Sequence, residues 1–185
     1  MVTLVIGGSG SGKSEYAESL ILDMGERRRI YIATMKPWDE ECEKRIERHR
    51  KMRAEKQFET VECYRDLKGL DLGTLKKPGA VLLECMSNLV SNELFGTGET
   101  DESPVLTEGQ AADEILKGIR HIKEQVKDLV IVTNEVFSDG DSYSEDTNAY
   151  RRILGEINRR AAAVADSVVE VVAGLPVIVS GAVEK

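Results

Sequence analysis

The chain of 185 residues lacks the features of a membrane or secreted protein. No apolar run approaches the roughly 20 residues that a membrane-spanning helix requires. The N-terminus passes directly into a strand-like run without a charged leader, which argues against a signal peptide. We therefore expect a cytoplasmic protein with no membrane span.

Cysteine is scarce, and the chain contains only Cys42, Cys63 and Cys85. Their number is odd, and their spacing is not that of zinc ligands. We therefore expect reduced thiols, as in most cytosolic proteins, and no structural zinc site.

Basic residues are too few for a general nucleic-acid binder. The chain has 25 Lys and Arg residues against 33 Asp and Glu residues, which gives a net charge of −8. Proteins that bind nucleic acids generally are usually basic. We therefore expect no nucleic-acid partner, although this balance still allows a local basic pocket.

The segment from Gly7 to Ser14 reads GGSGSGKS and matches the phosphate-binding loop pattern G-x-x-x-x-G-K-[ST]. It lies between a strand-like run at 2–6 and a helix-like run at 15–22, which is the context that the pattern requires. A Gly/Ser-rich turn that matches by chance is the alternative, and this context disfavours it.

Such a loop binds the phosphates of a nucleoside triphosphate. Its glycines let successive backbone N–H groups face one anion, and the positive end of the following helix dipole points to the same place. We expect Lys13 to reach the β- and γ-phosphates and the Ser14 hydroxyl to bind Mg²⁺. The predicted nucleotide-binding residues of the loop are Gly7, Gly8, Ser9, Gly10, Ser11, Gly12, Lys13 and Ser14.

Strand-like and helix-like segments alternate along the rest of the chain. This alternation predicts a single α/β domain over residues 1–185, with a mostly parallel sheet and helices on both faces. We expect the last two strands to form a hairpin with an antiparallel edge strand. Further strands are predicted at 29–33, 58–62, 80–83, 129–133, 168–172 and 177–179, helices at 38–53, 86–95, 108–126 and 150–164, and polar loops at 96–104 and 138–147.

Polar residues follow several predicted strands, at the sheet edge where ligands bind. Glu84 follows the apolar run 80–83, and an acidic residue there can hold the Mg²⁺ shell or polarise the attacking group. A carboxylate that only caps the next helix is the alternative. Thr34 and Lys36 can contact ribose or phosphate, although Lys36 equally fits a surface charge. Residues 133–135 fit a functional site or a structural turn equally well.

The helix predicted at 38–53 carries a histidine among basic residues. Arg45, His49 and Arg53 are spaced at i, i+4 and i+8, and therefore lie on nearly one face. Neighbouring guanidinium groups disfavour the charged imidazole, and a neutral imidazole can attack phosphorus while the arginines stabilise the developing charge. The alternative is a solvated basic face with an incidental histidine. We expect the other histidine, His121, to pack or to lie at the surface.

In their order along the chain, these residues resemble the bifunctional adenosylcobinamide kinase and adenosylcobinamide-phosphate guanylyltransferase family, which assembles the nucleotide loop of cobalamin. The resemblance extends over nearly the whole chain. The shared motifs are GGxxSGKS at 7–14, YIAT at 31–34, RIxxHR at 45–50, Glu62, LLEC at 82–85 with Asn88 and Asn92, VTNEV at 132–136, and NR at 158–159 leading into AAA at 161–163.

The resemblance implies two reactions at one site. The family phosphorylates the aminopropanol hydroxyl of adenosylcobinamide with a nucleoside triphosphate (ATP or GTP), and then transfers GMP from GTP to that phosphate through a guanylyl-histidine. His49 matches the family's nucleophile, with Lys13 and Glu84 as further catalytic residues. The resemblance also implies a homotrimer. Positions matching nucleotide contacts outside the loop are Thr34, Met35, Lys36, Arg50, Lys51, Met52, Arg53, Glu62 and Glu84.

Together, the motifs and the resemblance predict a three-layer P-loop NTPase (RecA-like) fold. Two other functions remain open at this point. One is a different small-molecule kinase, which transfers only the γ-phosphoryl group and needs no histidine. The other is a switch module, in which nucleotide hydrolysis drives a conformational change.

Overall fold

A computed structural model of the chain describes residues 1–25, 27–37, 40–73, 79–98, 104–137 and 143–182, without the side chains of residues 42, 45, 49 and 52. Its strands and helices alternate as predicted. They are β1 (Val2–Gly7), α1 (Lys13–Asp23), β2 (Arg29–Ala33), α2 (Glu40–Glu55), β3 (Phe58–Glu62), β4 (Ala80–Glu84), α3 (Met86–Phe95), α4 (Glu108–Gln125), β5 (Asp128–Asn134), α5 (Glu145–Val164), β6 (Ser167–Val172) and β7 (Leu175–Gly181), with a 3-10 turn at Leu67–Gly69.

Within the described residues, seven strands form one sheet in the order β3-β2-β4-β5-β1-β6-β7. Neighbouring strands are parallel from β3 to β6, and β7 is antiparallel to β6. The predicted parallel sheet with an antiparallel edge strand is therefore confirmed. Because the strands are parallel, the ends of β1, β2 and β4 lie at the same edge of the sheet.

Helices cover both faces of the sheet, as predicted. Ala17 and Ile21 of α1 pack on one face against Val5 and Leu82. The other face packs against α3, α4 and α5, and Ile119 belongs to this second core. The apolar strand runs are buried on both sides, which explains their continuous apolar composition.

The start of α5 differs from the prediction. The sequence analysis places the helix at 150–164 after a loop at 138–147, whereas the helix begins at Glu145. Ser144 caps it, because its hydroxyl oxygen accepts a hydrogen bond from the Thr147 N–H at 3.3 Å. The loop is correspondingly shorter, and residues 138–142 lie outside the described part of the chain. The predicted start of α2 at 38–39 and residues 99–103 of the predicted loop at 96–104 also lie outside it.

The hairpin of β6 and β7 turns at Ala173 and Gly174, whose φ angles of 50° and 81° suit a tight two-residue turn. The Gly174 N–H donates a hydrogen bond to the Ser11 carbonyl at 2.8 Å. The turn therefore contacts the phosphate-binding loop. Beyond it, β7 exposes apolar side chains, including Leu175 (70% exposed). None of the described helices has the length and apolar character needed to cross a membrane.

Candidate functional site

The phosphate-binding loop joins β1 to α1 at the carboxyl edge of the sheet. At Gly7 a β-carbon would lie 2.5 Å from the Ser11 hydroxyl oxygen, so a side chain has no room there. Gly12 has a φ of 87°, and a β-carbon on it would meet Gly174 at 3.2 Å. The motif glycines at these two positions are therefore required by the geometry of the loop.

Lys13 and Ser14 begin α1 directly after the loop. The Lys13 ammonium is buried and donates a hydrogen bond to the Gly8 carbonyl at 3.0 Å, within the loop itself. The Ser14 hydroxyl donates to Glu84 Oε1 at 2.5 Å. Glu84 Oε2 is buried and has no hydrogen-bond partner among the described residues. The structure thus brings the loop and the acidic end of β4 together.

A cavity of about 450 Å³ lies between the loop and α2. Ser9 and Ser14 line it on the loop side, and Glu84 lines it at the end of β4. Ile46 and Arg53 line it from α2. Three parts of the chain that are separate in sequence therefore enclose one space.

Arg53 is the basic residue that α2 contributes to this cavity. Only 6% of it is exposed, and its guanidinium carbon lies 3.9 Å from the centre of the Tyr31 ring. Burial raises the pKa of Tyr31 well above its ordinary value, Glu84 raises it further, and Arg53 opposes this shift. Tyr31 belongs to the shared motif at 31–34, but no role in the site was predicted for it. The available signal was a phenol in a strand expected to be buried, because a buried hydroxyl needs a polar neighbour.

Arg50, Lys51 and Glu62 line a different cavity, of about 810 Å³, which shares Ile46 with the first. Arg50 forms an ion pair with Glu62, and the Tyr64 hydroxyl donates to Glu62 at 2.8 Å. Burial, followed by this hydrogen bond, raises the pKa of Tyr64 to about 12. The predicted nucleotide contacts Arg50, Lys51 and Glu62 thus lie around α2 rather than beside the phosphate loop.

His49 lies in α2, three residues after Ile46 and four before Arg53. Its side chain and that of Met52 are outside the described part of the structure. Their predicted roles therefore stay predictions.

The residues after β2 are held by the end of β4. Thr34 is fully buried, donates to the Cys85 carbonyl at 2.8 Å and accepts from the Cys85 N–H at 2.8 Å. Met35 lines the first cavity. The Lys36 ammonium donates to Thr97 at 3.4 Å. Of these three predicted residues, Met35 is therefore the one that faces the cavity.

Residues 133–135 form hydrogen bonds within the fold. Thr133 donates to Asn158 at 2.7 Å, and Asn134 donates to Ser87 at 2.7 Å. Glu135 accepts from the Phe137 N–H at 2.8 Å. These are the contacts of a structural turn, the second of the two interpretations.

His121 also lies away from the cavity. One of its ring nitrogens is 3.1 Å from the Leu70 carbonyl, in keeping with the expected packing role.

Ser14 and Glu84 are the described groups best suited to a hard cation. The partnerless oxygen of Glu84 fits the preference of Mg²⁺ for oxygen ligands. Among the described residues, no three His, Cys, Asp or Glu side chains are grouped as a metal site. A cation here would therefore depend on phosphate and water oxygens, as Mg²⁺ commonly does.

Comparisons with known proteins identify the family of the chain. A family model described as cobinamide kinase / cobinamide phosphate guanyltransferase matches residues 3–179. The bifunctional adenosylcobalamin biosynthesis protein CobU of Salmonella typhimurium is 38% identical over 181 residues, covering 96% of this chain and 98% of the relative. The Escherichia coli protein of the same name is 36% identical over 182 residues, with the same two coverages.

Among solved structures, the flagellar accessory protein FlaH from Methanocaldococcus jannaschii superposes with a TM-score of 0.52. The match covers 97% of this chain and 78% of that one, at 12% identity, and so concerns the fold alone. Together with the observed topology, it confirms the predicted three-layer P-loop NTPase (RecA-like) fold.

Proposed function

The chain belongs to the cobinamide kinase / cobinamide phosphate guanyltransferase family, and on that premise we propose a two-step reaction at the cavity between the loop and α2. The protein phosphorylates adenosylcobinamide with a nucleoside triphosphate. It then transfers GMP from GTP to adenosylcobinamide phosphate, which gives adenosylcobinamide-GDP. The observation that carries this proposal is the convergence of the phosphate loop, Glu84 and Arg53 on one space.

In this proposal the nucleotide binds with its phosphates on the loop from Gly7 to Ser14. Lys13 and the backbone N–H groups balance the charge of the β- and γ-phosphates. Ser14 would hold Mg²⁺, and the ion would neutralise charge on the phosphate oxygens. The remaining proposed nucleotide contacts are Thr34, Met35, Lys36, Arg50, Lys51, Met52, Arg53, Glu62 and Glu84.

The kinase step uses Glu84 as the group beside the acceptor hydroxyl. Its free Oε2 accepts the hydroxyl proton as the acceptor oxygen bonds to the γ-phosphorus and the β,γ-bridging bond breaks. The Ser14 hydroxyl holds Oε1 and fixes the carboxylate orientation.

The guanylyl step uses His49 as the nucleophile. Its imidazole nitrogen bonds to the α-phosphorus of GTP, and the bond to the departing pyrophosphate breaks. Lys13 and Arg53 stabilise the negative charge that develops. A phosphate oxygen of adenosylcobinamide phosphate then attacks the guanylyl phosphorus and releases His49. Because the loop holds the triphosphate by its tail, the α-phosphorus meets His49 through movement of the nucleotide or of α2.

We also propose that residues 1–185 form one domain and that the protein is a cytoplasmic homotrimer with the site shared between subunits. The trimer rests on the family resemblance. The apolar side chains that β7 exposes, such as Ile178 (56% exposed), are compatible with contacts between subunits.

Labelling with GTP that carries the label at the α-phosphate tests the guanylyl step. We expect an acid-labile, alkali-stable protein adduct in the wild type and none in His49→Asn. His121→Asn is the matched control, because His121 is the other histidine of the chain and lies away from the cavity. This variant should label normally.

Two outcomes would contradict this mechanism. If the wild type forms no adduct, the remaining functions are a simple kinase or a nucleotide-dependent switch. If His49→Asn forms an adduct, His49 is ruled out as the nucleophile. Transfer of a γ-label to adenosylcobinamide separates the kinase from the switch.

A further inference from the structure

Arg53 connects α2 to the rest of the fold through a buried side chain. Among the side chains of α2 that the structure describes, Arg53 alone is buried, and Ile46 is half-buried. The rest are exposed, in keeping with the charged composition of this helix. The position of this helix end therefore depends on what holds Arg53, together with the ion pair of Arg50 with Glu62.

No carboxylate pairs with Arg53 among the described residues, and its buried Nε has no hydrogen-bond partner there. A buried, unpaired charge is unfavourable unless another group stabilises it. The described contact that does so is the face of the Tyr31 ring, 3.9 Å from the guanidinium carbon. The ring thus takes the place that a carboxylate would normally occupy, and it leaves the guanidinium donors available to an anion in the cavity.

Tyr31 belongs to the buried core on the α1 side of the sheet. It is 6% exposed in the central part of β2, and it packs edge-on against Phe58 at 6.2 Å between ring centres. Tyr31 and Glu84 line the same cavity, and the charge of Glu84, after burial, raises the pKa of the phenol. It therefore lies beside both the carboxylate at the loop and the arginine of α2.

We propose that Tyr31 is a positioning residue for guanylyl transfer: its ring holds Arg53 in the nucleotide cavity and thereby sets where α2 presents His49. The inference rests on the proposed function. His49 precedes Arg53 by four residues, about 6 Å along a helix axis and on nearly the same face. Fixing Arg53 therefore restricts the position of residue 49. The kinase step does not use His49, so it depends on Tyr31 much less.

The test compares Tyr31→Leu, Tyr31→Phe and Phe58→Leu in two assays. One is the rate of protein labelling at saturating α-labelled GTP, and the other is γ-transfer from ATP to adenosylcobinamide. Phe58→Leu is the matched control, because it removes an aromatic ring of the same core that packs on Tyr31. The thermal unfolding temperature of each variant shows how much stability the core loses, so that a general loss of packing can be told apart from a specific effect on labelling.

We expect Tyr31→Leu to slow labelling about tenfold, the size of a partly desolvated cation–π contact, and to change the kinase rate less than about twofold. Tyr31→Phe keeps the ring and should label at nearly the wild-type rate. Phe58→Leu should leave the ratio of the two rates unchanged even where it lowers the unfolding temperature.

Three results would overturn the inference while wild-type labelling still supports the proposed function. They are normal labelling by Tyr31→Leu, an equal loss of both activities in Tyr31→Leu, and a loss in Tyr31→Phe as large as in Tyr31→Leu. If Tyr31→Leu does not fold, Tyr31→Met takes its place, because methionine fills a buried position without a ring face for the guanidinium. Equal losses of both activities in that variant would overturn the inference too. An unlabelled wild type instead contradicts the proposed function itself.

Discussion

Glu84 is a carboxylate with two unlike oxygens. One accepts from Ser14, and the other is buried with no partner among the described residues. A buried oxygen without a hydrogen bond has lost its hydration and regains a partner when a hydroxyl or a cation arrives. The residue is thereby arranged to bind a polar group that comes with the substrates.

Replacement of Glu84 by Gln keeps the shape and removes the charge. We expect the rate of γ-transfer from ATP to adenosylcobinamide to fall about 100-fold or more, because a general base typically contributes that much. Glu135→Gln is the control, since Glu135 follows the neighbouring strand and accepts from the Phe137 N–H. A kinase rate within a few-fold of wild type in Glu84→Gln would rule out the assigned role.

Glu114 on α4 makes stability depend on pH. Hydrogen bonds from Lys117 and Lys68 lower its pKa from 4.5 to about 2. Because the folded value is depressed, the stabilisation is complete above the unfolded value near 4.5 and disappears as the pH falls through about 2. Its size is small, since these surface pairs are screened by water and salt.

We expect Glu114→Gln to flatten the fall in unfolding free energy between pH 4.5 and about 2, as measured by urea denaturation. Glu124→Gln, an exposed change on the same helix, should follow the wild-type curve. Identical pH slopes in the wild type and Glu114→Gln would show that the two lysines contribute nothing to this dependence.

Secondary-structure elements were predictable wherever their signal is local. The boundaries of β2, β3 and α3 agree with the prediction, because turn residues and apolar runs mark their ends. The start of α5 was wrong because the apolar pattern begins near Tyr150, whereas the helix is set by a polar cap at Ser144. Apolar spacing alone does not locate the polar first turn of such a helix, which a capping residue marks instead.

The Ser144 cap contributes measurably to the free energy of unfolding. Ser144→Ala removes the acceptor for the Thr147 N–H and should lower the free energy of unfolding by about 1 kcal/mol, measured by urea denaturation. Ser19→Ala in α1 is the matched change, because its hydroxyl only donates back to the Tyr16 carbonyl within a helix. That variant should be neutral or slightly more stable. An equal effect of both changes would count against the cap.

The site was predictable only in part, because its parts meet through the tertiary fold. The loop motif and the acidic end of β4 are local patterns, and the structure joins them through the Ser14 hydrogen bond to Glu84. The stacking of Arg53 on Tyr31 depends on how α2 packs on β2, and no linear spacing encodes that. The assignment of His49 came from its spacing among arginines on a helix together with the family resemblance, and it stays a prediction.

At the scale of the whole molecule, the first loop of the chain depends on its last hairpin. The Gly174 N–H donates to the Ser11 carbonyl, and Gly12 lies against Gly174. The two segments are far apart in sequence and belong to one structural unit. The shape of the phosphate loop therefore includes a contribution from the C-terminal turn.

Gly174→Val tests this dependence. The φ of 81° at Gly174 is unfavourable for a β-branched residue, so the turn should shift and its contact with Ser11 should weaken. We expect GTP to bind about tenfold more weakly, a change of roughly 1.4 kcal/mol, as measured by calorimetry. Gly25→Val imposes a similar strain at φ 84°, with nothing near its β-carbon, and should leave GTP affinity unchanged. If both variants bind GTP with equal affinity, the turn at Gly174 does not contribute to nucleotide binding by the loop.

The position of β1 between β5 and β6 also has a consequence for folding during synthesis. Val2 pairs with Leu129, and Thr3 pairs with Ser167, so β1 leaves the ribosome more than 100 residues before either of its neighbouring strands. The phosphate loop gains its contact with Gly174 later still, because that turn follows β6. Before β6 and β7 have formed, the loop lacks its contact with Gly174, so under the proposed function we expect nucleotide to stabilise the nascent chain less than the folded one.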